Sequence, residues 1–175
     1  MKTAQQTTTA NNTDNLIWLS GIDEIGIPIV ELECGGEPLL FVLDTGANDN
    51  VIEKNTCQRL NAAVIIDKPA SLTFFDGHDE PQKGSAILPL QVCGQQASTL
   101  FSVIDSANNI FDLETTYGFD VHGLLGTPFI VENNLLIDLK NKVAVYAGKR
   151  PEKREPEVFE NELVFGDYEF DDIYS

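Results

Sequence analysis

The sequence predicts an all-β domain, a small barrel or sandwich with few helices. Three features point there: many short apolar runs of strand length, frequent Gly, Pro and Asp punctuation between them, and few segments able to carry a helix. The chain has 175 residues and is 42% hydrophobic, enough for one domain with a buried core.

Taken in order, residues 1–14 are polar and predict a flexible arm. Residues 25–32 (IGIPIVEL) are rich in β-branched side chains and predict a strand. A Gly-Gly-Glu-Pro turn follows Cys34. Residues 39–43 (LLFVL) form an unbroken apolar run, the pattern of a strand buried on both faces. Residues 53–63 lack strong breakers and predict a helix. Residues 71–75 and 84–92 flank a Gly/Pro/Asp turn and predict a hairpin, and residues 97–104 another strand. Residues 106–120 read as loop. Residues 135–139 and 143–146 predict two short strands around a tight turn. The domain is therefore expected over residues 15–148. Beyond it, residues 149–175 carry nine acidic and four basic residues with interleaved aromatics, a solvated acidic tail by composition.

The formal charge is −17. Nucleic-acid binding and adhesion to anionic membranes both need Lys and Arg patches, so neither is expected. No apolar run is long enough to span a bilayer, and the opening residues have no apolar core of a secretory signal. Cys34, Cys57 and Cys93 are odd in number, widely spaced and set among strand-like or helix-like residues, which predicts buried inert thiols and no disulfide framework. A cytoplasmic setting follows as the expectation. His78 and His122 lie too far apart in sequence for a local zinc site, so no metal is expected.

The informative segment is FVLDTGANDNVI, residues 41–52. An apolar strand delivers the Asp44 carboxylate to its end, just before a Thr45-Gly46 turn. That arrangement suits a carboxylate that must be rigid and reachable: a threonine hydroxyl locks the turn, and a glycine lets the backbone approach and donate its N–H. Asp-Thr-Gly alone is also an ordinary turn. In context, the segment resembles the active-site segment of the retropepsin-like aspartic proteases, the family that includes the retroviral proteases. A second signature of that family, two apolar residues and a glycine entering a short helix, is matched by Leu124-Leu125-Gly126 and the residues after it. The hairpin at residues 74–84 lies where the family keeps its flap. The resemblance covers residues 25–146.

The resemblance implies a small closed barrel of the retropepsin type with one or two short helices. It implies an aspartic endopeptidase without cofactor, in which two aspartates share a proton and activate a water for attack on a peptide carbonyl. This chain has one Asp-Thr-Gly, so the second aspartate comes from a second copy, and a homodimer acting on a peptide or protein substrate is expected. By the same resemblance Asp44 is catalytic, while Thr45, Gly46 and Ala47 build its loop. Asn48, Asp49, Asp76, Gly77 and His78 are candidates for substrate contact or the flap tip. Leu124, Leu125 and Gly126 support the loop from beneath. Asp138 reads as a structural residue at a strand end. Val51, Ile52, Phe74 and Leu125 are candidates for apolar pockets. Self-repulsion of so acidic a dimer, and the shared proton, place the expected working range at about pH 4 to 6. Two alternatives remain open on the sequence: a silent dimer that only binds, and a protease held latent by its tail, with Leu163-Val164-Phe165 lying in the cleft.

Overall fold

The structure is a computed structural model and describes residues 13–66, 70–73, 77, 79–105, 113 and 117–147. After a 3-10 turn at Thr13–Asn15, the order is β1 Leu16–Ser20, α1 Ile22–Ile25, β2 Ile29–Cys34, β3 Glu37–Leu43, β4 Val51–Glu53 and α2 Lys54–Arg59. It continues with β5 Ser71–Thr73, β6 Asp79–Val92, β7 Gln95–Ile104, β8 Val121–Leu125, α3 Thr127–Glu132, β9 Leu135–Asp138 and β10 Val143–Tyr146. The expected all-β class holds.

Six strands close a ring in the order β2-β6-β7-β4-β8-β3 and back to β2. The barrel is mixed. β3 pairs with β8, and β4 with β7, in parallel; the other four contacts are antiparallel. Closure removes the exposed edges that an open sheet would present. β5 extends the sheet beyond β6, while β1, β10 and β9 extend it from β2, with β9 outermost.

Alternation builds the core. Along β3, Leu39, Phe41 and Leu43 are buried while Leu40 and Val42 are half-buried. The apolar run at 39–43 is thus not buried on both faces as expected; Val42 instead faces the cleft described below. Phe41 stacks on Phe101 of β7, ring centroids 5.8 Å apart, with both rings fully buried. Each such ring contributes about 1.5–3 kcal/mol by leaving water.

Other expectations need correction. Residues 25–28 are not strand: Gly21 and Gly26 both adopt left-handed angles and bracket a single helical turn, Ile22–Ile25, so β2 starts only at Ile29. The helix expected over 53–63 is shorter. Glu53 closes β4, and the chain leaves the helix after Arg59, turning through Asn61 at φ 52°. The strand expected over 84–92 begins five residues earlier, at Asp79. Cys34 and Cys57 are buried, but Cys93 is half-exposed in the β6–β7 turn at φ 49°. Of the arm expected over residues 1–14, residues 13 and 14 begin the 3-10 turn and residues 1–12 lie outside the described residues, as do residue 148, the tail expected over 149–175, and Phe74, Phe75, Asp76 and His78. Among those described, no helix is long and apolar enough to cross a membrane.

Candidate active site

The loop 44–50 joins β3 to β4, and its first residue is fixed by the barrel. The Leu43 N–H donates to the Pro28 carbonyl at 2.9 Å, and the Asp44 N–H to the Leu125 carbonyl at 3.0 Å. The second bond continues the parallel β3–β8 ladder one residue past β3. Asp44 therefore starts its turn from a rigid strand end. The Gly46 N–H donates to Asp44 Oδ1 at 2.8 Å, and the Ala47 N–H to the Asp44 carbonyl at 3.3 Å. Asp44 is half-exposed, and its side chain is held by the bond from Gly46.

The far side of the loop rests on the β8–α3 junction. The Thr127 N–H donates to the Ala47 carbonyl at 2.8 Å, and the Thr127 hydroxyl to the Thr45 carbonyl at 3.0 Å. Gly126 sits directly under the loop: a Cβ there would stand 2.8 Å from the Ala47 carbonyl oxygen and closer still to that of Asp49. Asn50, 5% exposed, accepts the Gly126 N–H at 2.9 Å and donates from Nδ2 to the Leu100 carbonyl at 3.0 Å.

Asp44 opens into a cavity of about 920 Å³. Its walls are largely apolar, with Ile27, Pro28, Val42, Leu72, Leu113 and Leu124 among them. Thr45, Gly46, Ala47, Asn48 and Asp49 form one rim, and Ile137 and Leu139 stand on another part of the wall. A mostly apolar cleft of this size with a few polar groups has the character of a ligand-binding site.

The site residues expected from the sequence are thus largely brought together. Asp44 through Asp49 share the loop and line the cavity. Leu124 lines it too, while Leu125 is fully buried and acts through its carbonyl, and Val51 is on the wall but Ile52 is fully buried in the core. Gly77 is exposed at φ 80°, and its neighbours Asp76 and His78 are not described. Asp138 is a turn-capping residue: its carboxylate takes the Asn141 backbone N–H at 3.0 Å and the Asn141 side-chain amide at 2.7 Å, and these bonds hold its pKa below the usual carboxylate value. Burial pushes the thiols of Cys34, Cys57 and Cys93 up, which makes them poor nucleophiles. No cluster able to hold a metal occurs among the described residues.

Two residues that sequence reasoning passed over matter here. Asn50 is one. The other is His122, at the bulge in the β3–β8 pairing, where the register jumps between Leu40 and Phe41. Its Nδ1 accepts the Leu40 N–H at 3.2 Å, so the imidazole stands in for a missing backbone acceptor. Nδ1 can do this only when it carries no proton. The side chain is 11% exposed, and burial pushes its pKa below 6.5, outweighing the Asp120 carboxylate 3.8 Å from Nε2. A histidine kept neutral by the fold contributes stability that is present above pH 6.5 and lost as pH falls through its folded value. Urea midpoints of the wild type should therefore fall between pH 7 and pH 5, and fall less in His122→Gln, whose amide oxygen accepts the same bond without titrating. Equal slopes in the two proteins would contradict this role.

No protein-family model matches the chain, and no curated protein does. Solved structures do. The retroviral protease-like domain of Ddi1 from Leishmania major is 15% identical, covers 73% of this chain and 96% of its own, and has a TM-score of 0.43. EIAV protease, solved with the inhibitor HBY-793, is 17% identical over 64% of this chain and 92% of its own, with a TM-score of 0.48. A retropepsin-like aspartic protease from Rickettsia conorii is 16% identical over 74% of this chain and 86% of its own, with a TM-score of 0.49. These are similarities of shape. The functional reading rests on the geometry of Asp44 and its loop.

Proposed function

We propose that this chain is an aspartic endopeptidase of the retropepsin-like family, active as a homodimer. The observation that carries the reading is Asp44, fixed at a strand end by Leu125 and Gly46, half-exposed, and facing a large apolar cleft. One carboxylate is half of the required pair. Asp138 is committed to its turn, so the second comes from Asp44 of another copy across a two-fold axis.

Two carboxylates that close cannot both ionise without a large electrostatic cost, so the pair holds one proton. The ionised member takes a proton from a water between them. The protonated member hydrogen-bonds to the peptide carbonyl and passes its proton to that oxygen. The water oxygen bonds to the carbonyl carbon, giving a tetrahedral diol. On collapse the C–N bond breaks and the leaving nitrogen takes a proton from the dyad. Apolar side chains flanking the scissile bond would occupy the walls at Val42, Leu72 and Leu124, while Asn48 and Asp49, which line the cleft, would meet substrate backbone. Thr45 is exposed beside Asp44, where it would meet its counterpart in the second loop. Residues 15–148 form the catalytic unit in this reading. The free thiols suit a cytoplasmic setting.

The test is cleavage of a mixed peptide library at about pH 5, where a shared-proton dyad is ionised once, over a range of protein concentrations. The activity per chain should rise with concentration until dimers saturate. Activity per chain that is constant down to concentrations where only monomers remain would rule out the two-copy site. Dimers that bind peptides and cleave none would favour a binding module.

A further inference from the structure

We propose that Asn50 is the positioning residue of this site, the side chain that locks the Asp44 loop to the second signature at Gly126. This rests on the protease reading for its catalytic consequence, but not for its structural one.

Both ends of the Asn50 amide are used, and its side chain is almost fully withdrawn from water. Oδ1 accepts the Gly126 N–H at 2.9 Å, and Nδ2 donates to the Leu100 carbonyl at 3.0 Å. The Asn50 carbonyl itself accepts the Ser102 N–H at 2.8 Å. Gly126 is outside the strands, and Leu100, although paired with Ile87 of β6 on one side, is outside the β4–β7 register on the other, which begins at Val51 and Ser102. The amide thus replaces the backbone partners that a longer β4 would have supplied. A neutral group with a donor and an acceptor on one short stem is required. An ionised carboxylate cannot donate, and a hydroxyl is too short to reach both.

The loop is consequently fastened at both ends to the same turn. Asp44 hangs from Leu125 by its N–H, and Asn50 holds Gly126, the next residue, six positions later in the loop. Loop and turn move as one body, and the direction of the Asp44 carboxylate toward a second copy depends on that body. Loss of the Asn50 bonds misplaces Asp44 without removing any group that touches substrate.

Asn50→Asp tests this. When protonated, the new carboxylic acid can accept from Gly126 and donate to Leu100. When ionised, it faces a carbonyl oxygen with no proton to offer. Burial raises its pKa, so the variant is expected to match the wild type near pH 4 and to fail toward pH 7. Hydrogen exchange should show it: protection of the Gly126 and Thr127 amides falls by about tenfold at pH 7, as for one lost hydrogen bond, and recovers at low pH. Phe101 and Val103 in β7 should keep their wild-type protection throughout. In cleavage assays kcat should fall by about 10- to 100-fold at neutral pH with KM little changed, as misplacement of a reacting group costs, and the ratio to wild type should recover in acid. If Asn50→Asp does not fold, Asn50→Thr serves, with a loss of protection at Gly126 and Thr127 that does not depend on pH. Unchanged protection at those two amides, or an equal loss at Phe101 and Val103, overturns the proposal. A wild type that cleaves nothing overturns the protease reading instead, and the exchange data still decide the role of Asn50.

Discussion

Asp44→Asn should abolish peptide cleavage and leave the fold intact. Asparagine keeps an oxygen that can accept the Gly46 N–H, so the loop retains the bond seen at 2.8 Å. What is lost is the ability of the pair to take a proton from water and return it to the leaving nitrogen. General acid–base catalysis of this kind is worth about 10²- to 10⁴-fold. With both copies of the pair altered, the upper end of that range is expected, measured as kcat/KM on the best peptide of the library. Far-UV circular dichroism and the urea midpoint should match the wild type. Residual cleavage within about tenfold of wild type, well inside the range for one acid–base group, would assign the chemistry to another residue.

Gly126→Ala should be the most damaging small substitution in the site. Gly126 has φ −88° and ψ −170°, angles open to any residue, so backbone strain is not the cause. The cause is space. The new Cβ would meet two backbone carbonyls of the Asp44 loop, those of Ala47 and Asp49, and backbone cannot rotate away as a side-chain tip can. Forcing one methyl into a packed site costs about 1–3 kcal/mol. Here relief requires the loop to lift, which strains the bonds from Thr127 to Ala47 and from Gly126 to Asn50. The urea midpoint should fall accordingly, and cleavage should fall by about 100-fold, the effect of roughly 1 Å of misplacement. A midpoint and a kcat both equal to wild type would show that the loop does not bear on this turn.

Much of this was legible in the sequence, and the reason is local. β3, the β6–β7 pair and the β9–β10 hairpin are runs of apolar or alternating residues set among Gly, Pro and Asp, which located them, although β3 runs through Pro38 and β6 through Pro81 and Gly84, past the boundaries that punctuation suggested. Asp44 was legible because the apolar run and the Thr-Gly turn are contiguous with it. α1 was not, because its four residues are too few to show a helical repeat and are bracketed by two left-handed glycines outside them. Asn50 and His122 were not legible for a different reason. Their partners lie 50 and 76 residues away for Asn50, and 82 for His122. Asn50 and Asn48 are the same residue type two positions apart in one polar loop, yet Asn48 is exposed on the rim. One signal was available in retrospect: Asn50 immediately precedes the buried pair Val51 and Ile52, where an exposed loop residue is least expected.

His122 also bears on the working range. In the proposed dimer a shared proton and the relief of charge repulsion would both favour mild acid, while protonation of His122 removes the acceptor for Leu40 on the strand that carries Asp44. If the chain is the proposed protease, activity and stability should move in opposite directions as pH falls, with the optimum where the two meet.

The claim that one Asp44 from each of two copies makes the site is tested most directly by mixing. Wild type is held at a fixed amount at about pH 5, within the range in which such a dyad works, and folded Asp44→Asn is added and allowed to exchange subunits. If each active site needs both carboxylates, mixed dimers are dead. Cleavage should then fall to about half when the two proteins are equal in amount, as random pairing in a two-fold dimer requires, and continue to fall with further variant. Cleavage that stays constant as the variant is added, with subunit exchange verified by mass, would contradict the shared site.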